Sequence, residues 1–499
     1  MKEKNKNIPT LSRDSDYGRR KAHLIGICGA GMSALAVLLK ESGWQITGSD
    51  NNFYEPISGY LKKNKISFYK NYSAKNIPKD VNTIIIGKHA ELLPEVNEEV
   101  KKAFSLKKTE IKIKSLPEVL AMLSKNKKNF LVAGSFGKST CTALLAWCIS
   151  QAGHDPSYFI GAVPINFDKS SHIGGGKEFV LEGDEYPSSN WDSTSKFLHF
   201  NPSSVLLVSA EHDHINIFPT EQSYKKPYKK LVAKIPRNGL LVYSKEGRNN
   251  MELAKQAKCR TVSYSLSNTG SDWYAQNIKY GMQTSFDLMH GGKKVATVKT
   301  KLLGNHNIEN IIGVGTLLLE SKVISVKDFT KAVASFSGIK RRIELLSAQA
   351  GKNPNSSIPV YEGFGSSYEK AKVIFDALKL HFGKSLSASG GKIVAVFEPH
   401  TFSWRNRGAL KWYKTIFDGV GEVILLPPPE HGKDTHSQLS YDEIYKEVKK
   451  YVPVHKATTE KEALATIQKI IKKNDVVALV SSGSLLGLSK SIPKMFQGK

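Results

Sequence analysis

The chain is poor in cysteine. Of 499 residues four are Cys (Cys28, Cys141, Cys148, Cys259), and none sits at a metal-ligand spacing or in a disulfide framework. That excludes a disulfide-stapled scaffold and a zinc ribbon, and it fits a reducing cytoplasm. No apolar run is long enough to span a bilayer. The first twenty residues are polar and charged, lack the apolar segment of a secretory signal, and read as a flexible leader. Short-period repeats and low-complexity tracts are missing, so the chain is not a repeat array. Acidic residues are few: 45 Asp+Glu face 72 Lys+Arg, a formal net charge of +27. The lysines are spread along the whole chain, with no dense run interleaved with aromatics. The excess therefore reads as a solvated surface that attracts polyanionic small substrates, not as a nucleic-acid or membrane footprint.

What is present is glycine in two informative places. Residues 131–142 carry an apolar run (Phe130 to Ala133) into a loop with Gly134, Ser135 and Gly137, ending at Lys138, Ser139 and Thr140. A helical run, Ala143 to Ala152, follows. Strand, glycine loop and helix start form a phosphate cradle, because backbone N–H groups approach an anion closely there. Lys138 can reach a terminal phosphate, and a hydroxyl at Ser139 or Thr140 can take Mg²⁺. Val132 stands where the strict pattern has its first glycine. The competing reading is a plain glycine turn with an incidental lysine.

The second loop is His23-Leu-Ile-Gly-Ile-Cys-Gly-Ala-Gly-Met-Ser33, followed by a helix (Met32 to Lys40) and a strand (Trp44 to Thr47) that ends at Gly48-Ser49-Asp50. A β-α-β unit of this kind places a pyrophosphate at the loop and a ribose hydroxyl on the acid. The spacing is Gly-x-x-Gly-x-Gly, which points to a nucleotide diphosphate more than to NAD. A tight turn without ligand is the alternative.

Strand–helix alternation continues to the polar joint Lys125–Asn129, with a buried strand at 82–87 and a short helix at 117–123. A second α/β region runs to about Gly338, with an inserted antiparallel sheet at 262–300 and a linker at 335–342. A third follows, with strands expected at 358–361, 393–397, 423–426 and 476–480 and a Ser/Gly loop at 385–391. After the phosphate loop, Glu182 ends an apolar strand in Glu182-Gly-Asp-Glu-Tyr186, and Glu211-His-Asp-His214 follows another. Carboxylates at strand ends beside a phosphate loop suit Mg²⁺, which prefers oxygen ligands.

Taken together, these stretches resemble the Mur ligase family, over nearly the whole chain. The matching motifs are Gly26-Ile-Cys-Gly-Ala-Gly-Met-Ser33, Gly134 to Thr140, Glu182 to Tyr186, Glu211 to His214, Gly304-Asn-His-Asn-Ile-Glu-Asn310 and Lys340-Arg-Arg342. Within the family, Ile160 to Phe167, Tyr186, Lys196 to Phe200 and Asp213 to Pro219 resemble the branch that joins UDP-N-acetylmuramate to the recycled tripeptide L-Ala-γ-D-Glu-meso-diaminopimelate. The resemblance implies an α/β chain of three domains: a Rossmann-like UDP-sugar-binding domain (21–125), a P-loop ATPase-like domain (126–340) and a Rossmann-like ligase domain (341–499). It implies ATP and Mg²⁺, a murein peptide as second substrate, and a monomeric cytoplasmic enzyme. Gly29, Ala30, Gly31, Met32 and Ser33 would hold the UDP pyrophosphate, with Asp50 nearby. Gly134, Ser135, Gly137, Lys138, Ser139 and Thr140 would hold the ATP phosphates. His306 and Asn310 would lie near the adenine, and Arg342 would reach the phosphates. Ser139, Glu182 and His214 would hold metal, and Lys138, Glu182 and His214 would carry the chemistry.

The chain departs from the family in places. The third-domain motif Asp-Asp-Phe-Ala-His-His-Pro aligns with Glu362-Gly-Phe-Gly-Ser-Ser-Tyr368, which lacks both histidines and the second acid. Lys88 to Pro94 lacks the usual arginine and asparagine, and Phe136 replaces a histidine. Three readings stand: an active ligase with the tripeptide or with L-alanine as acceptor, a catalytically lapsed nucleotide-binding relative, and an NAD-dependent oxidoreductase.

Overall fold

A computed structural model describes residues 20–53, 57–346, 358–429 and 437–496. The expected leader, apart from Arg20, lies outside them. Three sheets organise the chain. The first runs from edge to edge as Ser67–Tyr69, Gln45–Ser49, Lys21–Ile25, Thr83–Ile86 and Lys112–Lys114, parallel throughout. Its central strand is Lys21–Ile25, so the order reverses between that strand, which leads into Gly26, and its neighbour Thr83–Ile86. That is the switch point at which doubly wound sheets bind ligands.

The second sheet follows the order Lys293–Thr300, Thr284–His290, Trp273–Lys279, Arg260–Tyr264, Leu240–Ser244, Ser204–Leu207, Lys128–Ala133, Glu178–Gly183, Ser157–Phe159 and Ser171–His172. Strand Lys128–Ala133 pairs in parallel with Glu178–Gly183 on one side and Ser204–Leu207 on the other, with Ala133 opposite Gly183 and Leu207. This register explains the site. The phosphate loop leaves the sheet between two strands whose C-terminal ends lead into the two acidic motifs. The antiparallel sheet expected as an insertion at 262–300 is not a sheet of its own. Tyr264 pairs in parallel with Trp273, so the ladder continues and these strands form the outer part of the same sheet.

The third sheet has the order Arg342–Leu345, Val360–Gly363, Val476–Val480, Ile393–Phe397, Glu422–Leu425 and Val454–Lys456, parallel except for its first pair. The strand expected at 358–361 begins at Val360, one residue after Pro359, which has no N–H to give to a ladder. The expected loop at 385–391 is instead the end of a 22-residue helix, Tyr368–Ser389. Ser385 and Ser387 turn their hydroxyls back onto the carbonyls of Phe382 and Gly383, and Gly390 stops the helix with φ 69°.

The described residues divide into two compact units. One holds the chain up to Gln276, with 287–297 and 309–333; the other holds 277–286, 298–308 and Ala334 onward. In the first unit one apolar core joins the inner faces of two sheets, from Leu24, Leu35 and Leu38 to Leu131, Leu181 and Val205. In the second, Phe375, Phe397, Trp404 and Tyr413 centre a core against the third sheet. No described helix is long and apolar enough to cross a membrane.

Candidate nucleotide and metal site

Helix Lys138–Gln151 starts directly at the phosphate loop. The amides of Lys138, Ser139 and Thr140 find no acceptor among the described residues, as in any first helical turn. Two glycines shape the loop for different reasons. Gly137 has φ 79°, and a Cβ there would lie 2.7 Å from Asn310 Oδ1. Gly134 has φ 146°, and its Cβ would lie 2.6 Å from the Ser209 carbonyl oxygen and 2.7 Å from the Ser209 nitrogen. Asn310, expected at the nucleotide, thus packs behind Gly137, and its Oδ1 accepts from the Cys141 thiol at 3.2 Å. Phe136 is 52% exposed at the tip of the loop.

Lys138 Nζ donates to the Gly134 carbonyl at 2.5 Å and to Glu185 Oε2 at 2.9 Å. Glu185 is completely buried, and its other oxygen receives no hydrogen bond; His214 Nε2 lies 3.4 Å from it. His214 has φ 60°, and its Nδ1 sits 2.8 Å from the Tyr186 hydroxyl. On the other side of the loop, Ser139 Oγ donates to Glu182 Oε1 at 2.8 Å, and the Gly161 amide donates to Glu182 Oε2 at 2.7 Å. Any side chain at Gly161 would collide with that carboxylate. Burial pushes the Glu182 carboxyl up, against the pull of Gly161, Ser139 and Lys138. At Asp184 burial acts upward too, but Lys196, 2.6 Å away, together with the Tyr186 amide and Lys138, holds the group below its ordinary range.

The donors therefore come as two pairs, Ser139 with Glu182 and Glu185 with His214. Among the described residues no three His, Cys, Asp or Glu side chains converge on one metal position. Mg²⁺ at a nucleotide takes one or two protein ligands and completes its shell with phosphate oxygens and water. The oxygen-rich pairs, and the orphaned Oε1 of Glu185, fit that chemistry. Glu185 was not among the residues singled out from the sequence, although it stands in the same motif as Glu182. Ser135, expected at the ATP phosphates, meets protein with both of its donors: its amide donates to the Ser209 carbonyl at 2.8 Å and its hydroxyl to the Glu211 carbonyl at 2.6 Å.

At the first glycine loop, helix Ala30–Glu41 follows Gly29, and the amides of Ala30, Gly31 and Met32 have no acceptor among the described residues. The Met32 side chain is core, and the Ser33 hydroxyl donates back to the Ala30 carbonyl, so this loop offers backbone. Asp50 is buried and accepts from the Cys28 amide at 2.8 Å, bracing the loop. The divergent Lys88–Pro94 segment also has a structural partner: Asn190 Nδ2 donates to the carbonyls of His89 and Leu92.

His306 and Arg342 belong to the second unit. His306 is exposed, and the Arg342 guanidinium lies 5.8 Å from the Phe364 ring centre. Its neighbour Arg341, with φ 61°, donates to the carbonyls of Ser481 and Gly483 and pairs with Glu362 at 3.2 Å. In the divergent Glu362–Tyr368 stretch, Glu362 thus holds Arg341, and Ser367 caps helix Tyr368–Ser389.

Glu309, beside Asn310, offers a test of this region's electrostatics. Burial, with Glu246 and Glu211 nearby, pushes its carboxyl up to about 7, against the Ser244 hydroxyl that donates to it. A raised carboxylate favours the protonated folded state. Its penalty is absent below the unfolded pKa of about 4.3, grows as pH rises, and is constant above the folded value. Glu309→Gln is expected to match the parent's melting temperature at pH 4 and exceed it at pH 8. An equal gap at both pH values would refute the assignment.

Comparisons with known proteins point to one family. Residues 21–128 match the model of the Mur ligase family catalytic domain, and residues 132–318 match the Mur ligase middle domain. A Haemophilus influenzae protein, UDP-N-acetylmuramate–L-alanyl-γ-D-glutamyl-meso-2,6-diaminoheptandioate ligase, is 29% identical over 76% of this chain and 79% of its own. A UDP-N-acetylmuramate–L-alanine ligase from Dictyoglomus turgidum is 27% identical over 95% of this chain and 96% of its own. The crystal structure of the UDP-N-acetylmuramate–alanine ligase of Thermotoga maritima superposes with a TM-score of 0.72 at 22% identity, covering 96% of this chain and 99% of that one, which is a likeness of fold. With two successive domain models in register with the two glycine loops, the chain belongs to the Mur ligase family.

Proposed function

We propose that the chain is an ATP-dependent, ADP-forming ligase that joins UDP-N-acetylmuramate to the tripeptide L-Ala-γ-D-Glu-meso-diaminopimelate. The observation that carries the ATP part is Lys138, held between the Gly134 carbonyl and Glu185 beside three unpaired helix-start amides. A γ-phosphate offers that ammonium better acceptors than the carbonyl it now meets. The diaminoheptandioate ligases among its relatives support the choice of peptide.

A carboxylate is a poor electrophile and repels ATP. Lys138 and the amides of residues 138–140 screen that repulsion and stabilise charge on the transferring phosphoryl group. The carboxylate oxygen of the sugar's lactyl group bonds to the γ-phosphorus as ADP leaves, giving an acyl phosphate. The peptide amine then bonds to the acyl carbon, phosphate leaves, and the amine proton passes to solvent or base. Ser139, Glu182, Glu185 and His214 would hold Mg²⁺, which supplies charge neutralisation at the phosphates when bound. Gly29 to Ser33 and Asp50 serve the UDP-sugar, and His306, Asn310 and Arg342 the nucleotide. The working regions are 21–125, 126–340 and 341–499, in a monomeric cytoplasmic enzyme.

Phosphate release is expected with ATP, Mg²⁺, UDP-N-acetylmuramate and the tripeptide, and not with L-alanine in its place. The L-alanine reading is favoured by the nearly full-length match to the Dictyoglomus protein; release with L-alanine alone would establish it. Release with neither, alongside ATP binding, would mean a lapsed enzyme.

A further inference from the structure

Four polar groups outside the phosphate-contacting set form one chain beneath the loop. The Tyr228 hydroxyl lies 3.1 Å from the Tyr224 hydroxyl, which lies 2.8 Å from Ser135 Oγ, which lies 2.6 Å from the Glu211 carbonyl oxygen. Its direction follows from its end. A carbonyl can only accept, so Ser135 donates to Glu211. Ser135 then accepts from Tyr224, and Tyr224 accepts from Tyr228. Both tyrosines are fully buried on helix Glu221–Lys234, and Tyr224 packs edge-on to Phe218 at 5.2 Å. Burial pushes both phenols well above their ordinary range, so they remain donors at every working pH.

The chain connects three segments. Ser135 sits in the phosphate loop three residues before Lys138. Glu211 opens the loop that carries His214, three residues on. The tyrosines come from the helix that follows. A buried hydroxyl pair is not needed to fill this core, where phenylalanine rings would pack equally well. Ser135 alone joins the loop bearing Lys138 to the loop bearing His214; what the tyrosine hydroxyls add is a fixed orientation of the Ser135 hydroxyl toward Glu211. Aligned hydrogen bonds in a low-dielectric interior also strengthen one another.

We propose that Tyr224 and Tyr228 are positioning residues, a two-hydroxyl brace that holds the Ser135 link between the phosphate loop and the His214 loop and so sets the affinity for the metal-bound nucleotide. The inference rests on the ATP reading of the loop. Tyr224→Phe keeps the ring and removes the donor that fixes the Ser135 hydroxyl toward Glu211. Its dissociation constant for ATP with Mn²⁺, measured by calorimetry, is expected to rise about five- to tenfold, the scale of the lost Tyr224–Ser135 bond, the one of Tyr224's two bonds that reaches the phosphate loop. The affinity for UDP-N-acetylmuramate should not change. Tyr228→Phe, at the far end of the chain, should show about a twofold effect.

A double-mutant cycle separates positioning from packing. In a Ser135→Ala background Tyr224→Phe should add nothing, because the link is already cut, whereas Ser135→Thr, which keeps a hydroxyl, should restore the parent affinity. Additive losses, or unchanged ATP affinity in Tyr224→Phe, would overturn the brace. Were Tyr224→Phe not to fold, Ser135→Ala compared with Ser135→Thr would decide alone: equal affinities in those two would overturn it. Lys138→Ala serves as the control on the underlying reading. If it binds ATP like the parent, the nucleotide site itself is misplaced; if it fails to bind while Tyr224→Phe is unaffected, only the brace is wrong.

Discussion

Lys138→Ala is expected to lower phosphate release by roughly three orders of magnitude, the scale set by removing a principal charge-stabilising donor from a phosphoryl-transfer site. Binding of UDP-N-acetylmuramate should remain within about twofold of the parent, since the helix-start amides of residues 30–32 need no help from residue 138. The same substitution has a second consequence. Glu185 is completely buried and Lys138 is its only hydrogen-bond donor among the described residues. Removing the ammonium strands a buried carboxylate, and breaking a buried pair from one side is strongly destabilising. The melting temperature should therefore fall together with activity, and a loss of fold could be mistaken for a loss of chemistry. Lys138→Ala with Glu185→Gln distinguishes them. The double variant should recover most of the melting temperature, because a neutral amide tolerates the site, and should remain inactive. Parent-like turnover in either variant, measured by phosphate release, would remove Lys138 from the reaction.

Much of this site was legible in the sequence because it lies where a strand ends and a glycine loop begins. Phe130 to Ala133, Gly134, Gly137 and Lys138 form a local pattern, and one strand with one helix fixes their placement. Glu182 was legible for the same reason, at the end of an apolar run. Glu185 was not. It differs from Glu182 and Asp184 only in which way the chain turns after the strand, and a buried carboxylate looks like any other acid until its partner is in place. The tyrosine brace was invisible for a related reason: Tyr224 and Tyr228 stand at ordinary helical spacing, and the Ser135 hydroxyl that Tyr224 meets lies 89 residues away. The Ser/Gly stretch at 385–391 misled because serine and glycine favour loops, yet a buried apolar face with Phe382 and Leu386 carries the helix to Gly390. Edge strands such as Val454–Lys456 are too short to show a period.

The two glycines of the loop look alike in sequence and should fail differently. Gly134→Ala places a Cβ 2.6 Å from the Ser209 carbonyl oxygen and 2.7 Å from its nitrogen, at φ 146°. Both obstacles are backbone, and Ser209 already accepts the Ser135 amide. Relief requires moving the end of strand Ser204–Leu207 and, with it, Glu211 and His214. A loss of stability of about 3 kcal/mol or more is expected, from strain and from the displaced ladder. At Gly137 the nearest obstacle is the Asn310 amide oxygen at 2.7 Å, the end of a side chain that can rotate, followed by Val208 Cγ1 at 3.0 Å. The left-handed φ of 79° still opposes alanine, so Gly137→Ala should lose about 1–2 kcal/mol. Its effect belongs to function more than to folding, because the displaced Asn310 is the residue expected at the nucleotide. Thermal melts and ATP titrations of the two variants should therefore rank in opposite ways: Gly134→Ala the less stable, and Gly137→Ala with the weaker ATP binding relative to the stability it retains. A Gly134→Ala protein that melts like the parent would mean that the Ser209 backbone yields, and that the loop and the strand beside it are not held in the register that assembles the site.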